Sequence, residues 1–141
     1  MLANQHTILQ YLPQRPPIQM VHNLLEVTDT HAVTEMEITA DNLFVMDGKF
    51  SEPGLIENIA QTAAAHAGYY YRSQNLDVPI GFIAAIRNLQ IYDCPAVDST
   101  VTTTITITNK VLEITIVEGQ IRQNDKTLCT CEMRIFTKPQ S

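Results

Sequence analysis

No apolar run in this sequence reaches the ~18 residues that a membrane-spanning helix needs. The first residues lack the basic stretch, apolar core and small-residue cleavage site of a secretory signal, so the expected location is cytoplasmic. Cations are few: nine Lys and Arg stand against fifteen Asp and Glu, for a formal net charge of −6. They are also scattered, whereas a nucleic-acid surface needs them clustered. Neither nucleic acid nor membrane is therefore an expected partner. No glycine-rich loop follows a strand, so a flavin or nucleotide site has no support and no cofactor is expected. The three cysteines include no CxxC pair. Cys129 and Cys131 would share one face of a strand. With Cys94 they could offer a metal three thiolates, but no fourth ligand is apparent. Reduced, packed thiols are the simpler reading, and no metal site is expected.

What is present suits one domain, residues 1–141, with a real core: the chain is 45% hydrophobic and 17% charged. "NQHTILQYLPQRPP" can hold a short helix, with Ile8, Leu9 and Leu12 at helical spacing and Pro13, Pro16 and Pro17 to stop it. Two strand-like runs follow, "IQMVHNLLEV" and "HAVTEMEIT", split by "TDT". A loop, "ADNLFVMDGKF", leads to one long helix from about Ser51 to about Ser73. Its apolar residues, including Leu55, Ile59, Ala63 and Ala67, cover more than one face, so it is expected to be buried on most sides. The rest reads as strand: "GFIAAIRNLQIYD", the proline loop "CPAVD", "STVTTTITIT", "VLEITIVEGQIRQ" and "TLCTCEMRIFT". In "STVTTTITIT" the alternation puts Val101, Ile105 and Ile107 on one face. Tight turns between late strands predict an α+β fold with a curved, largely antiparallel sheet around the helix. Its edges invite pairing with a second copy.

That order, with particular residues, resembles the hot-dog fold and, within it, the β-hydroxyacyl-carrier-protein dehydratases. "LPQRPPIQMVHNLLEV" looks like the family's Leu-Pro-His-Arg opening and first strand. "GLIENIAQTAAA" is similar to its central helix, with Glu57-Asn58-Ile59-Ala60-Gln61 matching Glu-Ala-x-Ala-Gln. "GFIAAIRNLQIYDCPAVDSTV" resembles its third strand and the Pro-x-x-Pro-Gly-Asp loop beyond. The likeness spans about residues 5 to 137. One departure is chemical. The family's Gly-His-Phe-Pro carries the catalytic base, and here the matching residues are Gly48-Lys49-Phe50. The segment from there to Glu57 is also shorter. This "DGK…E…AQ…AA" pattern more closely resembles a divergent branch found with aryl-polyene and flexirubin-type pigment clusters. The basic residues that the family uses near its carrier protein are replaced by Gln90, Asp93 and Cys94.

The resemblance implies dehydration of a 3-hydroxyacyl thioester, carried by a carrier protein or CoA, in fatty-acid or polyene-type biosynthesis. A base must remove the α-proton, an acid must protonate the departing β-hydroxyl, and the thioester oxygen must be polarised. Glu57 is the expected acid, though from its position alone it is equally an ordinary first-turns glutamate favoured by the helix dipole. Gln61, one turn on, can orient it. Gly54 permits close approach of a thioester to the helix start, and Leu55 and Phe50 are expected beside it in substrate binding. Lys49 could replace the missing base only if burial brought it from ~10.4 down to about 7–8; an exposed loop lysine is the commoner case. His66 is nine residues beyond Glu57, about 900° around the helix, hence on the opposite face. His22 matches a different family position, and His6 and His31 read as surface residues. A homodimer, or a heterodimer with a paralogue that supplies histidine, is expected. Two other functions fit: a hot-dog acyl thioesterase using Glu57, and a non-catalytic partner subunit of a dehydratase.

Overall fold

The structure, a computed structural model, describes residues 1–139. A short 3-10 turn, Thr7–Gln10, precedes strands β1 (Asn23–Val27) and β2 (His31–Glu37). A small hairpin of β3 (Val45–Met46) and β4 (Lys49–Phe50) leads into helix α1 (Glu52–Ser73). Four long strands complete the chain: β5 (Ile80–Ile91), β6 (Thr100–Val111), β7 (Ile114–Gln123) and β8 (Lys126–Lys138). One six-stranded sheet runs in the order β1-β2-β6-β7-β8-β5, and every neighbouring pair is antiparallel. The helix lies on its inner face, chiefly over β6, β2 and β7. This is the hot-dog arrangement that the sequence predicts.

Three expectations need correction. The first helix shrinks to the four residues Thr7–Gln10. The run from Ile18 is extended only from Asn23; the Ile18 carbonyl and both Met20 backbone groups bond to helix side chains, and the His22 N–H is the first to reach β2, at the Glu35 carbonyl. The loop before α1 contains a hairpin, turned by Asp47 and Gly48 at φ 53 and 76. Asp-Gly favours this left-handed two-residue turn.

Alternation along β6 sends Val101, Thr103 and Ile105 inward and buries them, while Thr102, Thr104 and Thr106 face outward. The inner residues meet Leu55 and Ile59 of α1 in the main core, with Phe50, Val117, Ile121 and Met133. The helix comes close enough to the sheet that a Cβ on Gly119 would sit 2.4 Å from Ile59 Cγ2. A second cluster, Ala3, Ile8, Leu12, Val21, Leu24 and Ala65, pins the N-terminal segment to the far half of the helix.

Gly68 marks the tightest of these contacts. A Cβ there would lie 2.0 Å from the Tyr11 carbonyl oxygen. Backbone cannot swing aside as a side chain can, so the N-terminal segment must move. Gly68→Ala is expected to cost about 1–3 kcal/mol, the range for overpacking a tight site. The urea midpoint should fall with the slope unchanged.

β5 is built differently from its neighbours. It ends the sheet, with β8 as its one neighbour there. Apart from Ala85 and Ile91 its residues are exposed, among them Phe82 at 51% and Ile83 at 46%. A long apolar strand with an open edge is a template for pairing with another chain. No helix among the described residues is long and apolar enough to cross a membrane.

Candidate active site

The helix start is shaped by short-range chemistry. Ser51 is extended at the N-cap and Pro53 occupies the first turn, where its missing N–H costs nothing. Gly54 and Leu55 both donate their N–H groups to the Ser51 carbonyl, at 3.0 and 3.2 Å. The space a Gly54 side chain would fill is taken by the Phe50 ring, 2.6 Å from an ideal Cβ, and by Phe44. Phe50 and Leu55 are fully buried in the main core. The three residues expected to bind substrate are thus packed against one another at the first turn of α1, and all three are buried.

Glu57 lies two residues beyond Leu55, half-buried. Gln61 Nε2 donates to Glu57 Oε2 at 2.8 Å, the i,i+4 contact expected from the sequence. Gln61 is itself fully enclosed. Its Oε1 accepts the Met20 N–H at 2.6 Å, and its Nε2 also donates to the Ile18 carbonyl at 2.8 Å. Oε2 is thus the oxygen that Gln61 engages, and Oε1 is the one Gln61 leaves open.

Lys49 is exposed on β4. Its field falls on Asp93 and Cys94. Asp93 is held below the usual carboxylate range first by its hydrogen bond from Lys126, with Lys49 the smallest contributor. Among the described residues no histidine hydrogen-bonds to Glu57. His66 instead donates Nε2–H to the Thr28 carbonyl at 2.7 Å and stacks on Tyr70. His22 Nδ1 accepts the Glu37 N–H at 3.3 Å. His31 bonds to Glu26 and Thr28, and His6 is exposed.

Burial pushes His66 and His22 below the ordinary histidine value of 6.5. The unfolded chain then binds protons more readily than the folded one on the acid side of 6.5. Stability from these neutral histidines is full above that pH and is lost as pH falls below it. The melting temperature should drop between pH 7 and pH ~5.5. His66→Gln should flatten that slope in part, with the His22 contribution remaining.

The thiols follow burial too. Desolvation raises Cys129 to about 12 and Cys131 to about 11. Among the described residues no three His, Cys, Asp or Glu side chains stand together as metal ligands.

Sequence reasoning missed Asn58. Its side chain is buried, donating to the Met20 carbonyl at 2.7 Å and accepting from Thr103 Oγ1 at 2.5 Å. The available signal was three polar residues, Asn58, Gln61 and Thr62, at helical spacing within an otherwise apolar helix. Two shallow depressions, of about 370 and 480 Å³, lie on the sheet near Gln120 and Glu132 and near His6 and Glu35. Glu57 lines neither.

A family model described as ApeP-like, ApeP dehydratase, matches residues 6–141. No curated protein sequence matches significantly. Among solved structures, the dehydratase heterocomplex ApeI:P from Xenorhabdus doucetiae superposes with a TM-score of 0.86 at 17% identity, covering 94% of this chain and 91% of that one. A hypothetical thioesterase with coenzyme A from Streptococcus pneumoniae TIGR4 gives 0.69 at 11% identity, covering 84% and 86%. The PaaI protein from the E. coli phenylacetic acid degradation operon gives 0.66 at 15%, covering 81% of each chain. At such identities the structural likeness is one of fold.

Proposed function

Because this chain belongs to the ApeP-like dehydratase family, we propose that it dehydrates 3-hydroxyacyl thioesters as one half of a two-chain enzyme, with Glu57 as its acid. The reading extends to a substrate carried on an acyl carrier protein and to fatty-acid or polyene-type biosynthesis. It rests above all on one observation: a carboxylate oriented by a locked Gln61 at a helix start, with no histidine bonded to it among the described residues.

In this mechanism a partner's histidine removes the α-proton while Glu57 Oε1 gives its proton to the β-hydroxyl. The Cα–H and Cβ–O bonds break, the Cα=Cβ bond forms, and water leaves. The histidine's proton returns to Glu57 through solvent before the next turn. Gln61 keeps Oε1 turned toward substrate. Phe50, Gly54 and Leu55 form the packed floor under the acyl thioester. Lys49 is the residue whose place in the sequence matches the family's histidine. The open β5 edge supports a heterodimer, and the ApeI:P structure is itself described as a heterocomplex.

A thioesterase is the second reading, favoured by the single carboxylate at the helix start. Products separate the two. A 3-hydroxyacyl thioester converted to its enoyl form, with the thioester intact, supports dehydration. Release of free thiol and acid selects the thioesterase. Neither product, together with stable binding to a paralogue, selects a non-catalytic subunit.

A further inference from the structure

Residues Ile18–Met20 belong to no strand, yet Met20 is fully buried. Buried backbone groups need partners, and α1 supplies them from two side chains three residues apart. Gln61 holds the Ile18 carbonyl and the Met20 N–H, and Asn58 holds the Met20 carbonyl. The chemistry of each backbone group sets which way each amide faces. The Met20 N–H can only donate, so Gln61 receives it on Oε1, which turns Nε2 toward Ile18 and Glu57. The Met20 carbonyl can only accept, so Asn58 offers it Nδ2 and turns Oδ1 toward Thr103, whose hydroxyl must then donate.

The result is a one-way series of hydrogen bonds. Thr103 Oγ1 donates to Asn58 at 2.5 Å, and Asn58 to the Met20 carbonyl at 2.7 Å. The Met20 N–H donates to Gln61 at 2.6 Å, and Gln61 to Glu57 Oε2 at 2.8 Å. Thr103, Asn58 and Gln61 are each almost wholly excluded from water. The Met20 N–H and C=O belong to adjacent peptide groups joined through its Cα, so the two halves of the series are coupled by position, and a broken link leaves a buried group unpaired.

We propose that Thr103 and Asn58 are positioning residues for Glu57, acting through Met20 and Gln61. The proposal rests on the role given to Glu57 above. The sheet centre thereby sets the orientation of the carboxylate at the helix start, and the hydroxyl of Thr103 is the origin of that setting.

Two substitutions at Thr103 test it in the full chain bound to its partner. Thr103→Val keeps the shape and removes the donor. Thr103→Ser keeps the donor and removes a methyl. The proposal expects Thr103→Val to lower kcat about tenfold or more, with KM within about twofold, as slight misplacement of a catalytic group does. Thr103→Ser should stay near wild type. A packing role alone predicts the reverse order, because serine leaves a gap in a closed site, and that order would overturn the proposal. A second readout needs no activity. The Gln61 side-chain N–H signals in NMR should exchange slowly in wild type and Thr103→Ser, and faster in Thr103→Val. Unchanged Gln61 exchange in Thr103→Val overturns the relay whatever the kinetics. If no partner brings turnover, the proposed function fails, and the Gln61 signals still decide the relay.

Discussion

Glu57→Gln is expected to leave fold and assembly intact and to remove turnover. Glutamine matches glutamate in size. Its carbonyl oxygen can take the place of Oε2 and accept from Gln61 Nε2, so the hydrogen bond at 2.8 Å has a ready substitute. Position 57 is half-buried, outside the main core, so packing changes little. What disappears is the group that gives a proton to the β-hydroxyl in the proposed mechanism. General acid catalysis is worth about 10²–10⁴-fold, so kcat/KM should fall by at least about a hundredfold. Circular dichroism and sedimentation should match wild type. Full activity in this variant would remove Glu57 from the chemistry and leave it a favourable charge near a helix start.

The sequence showed the helix well and its anchoring poorly. α1 was legible because a long run of apolar and small residues follows Ser51 and Pro53, all local signals. The late strands were legible from alternation, which in β6 correctly set Val101 and Ile105 inward. Thr103 points inward beside them, and no periodicity says what a buried threonine is for. Its partner, Asn58, is 45 residues away in the chain. Ile18–Met20 read as strand because apolar Ile18 and Met20 flank polar Gln19, the alternation of a strand. Its backbone instead bonds to side chains about forty residues on, and local propensity carries no record of such a choice. The hairpin of β3 and β4 was hidden for another reason: its Asp47-Gly48 turn is a good signal, but each strand has only two residues. At the site, the Glu57–Gln61 pair was readable from i,i+4 spacing. The locking of Gln61 was not, since it depends on tertiary contacts alone.

The exposed β5 strand bears on the largest effect expected. The isolated chain should dehydrate a 3-hydroxyacyl thioester slowly, and a paralogue carrying Gly-His-Phe should restore the rate. In the dehydratases this sequence resembles, each pocket lies between two protomers, with histidine from one and glutamate from the other. Two copies of this chain would place Glu57 in both pockets. Lys49, whose place in the sequence matches the histidine's, is exposed on β4. Loss of the general base costs about 10²–10⁴-fold, or roughly 3–5 kcal/mol of barrier. Strand pairing along β5 would bring a partner's residues to the seam and cover Phe82, Ile83 and Ile86, which the single chain leaves exposed. A heterodimer would then hold one complete pocket, Glu57 facing the paralogue's histidine. Enoyl formation should be measured for this chain, for the paralogue and for their mixture, with sedimentation confirming a mixed species. The mixture should exceed this chain alone by at least about a hundredfold. Glu57→Gln in this chain should erase the gain that the mixture makes over the paralogue alone. Brisk turnover by the pure chain would sink the idea and direct attention to Lys49.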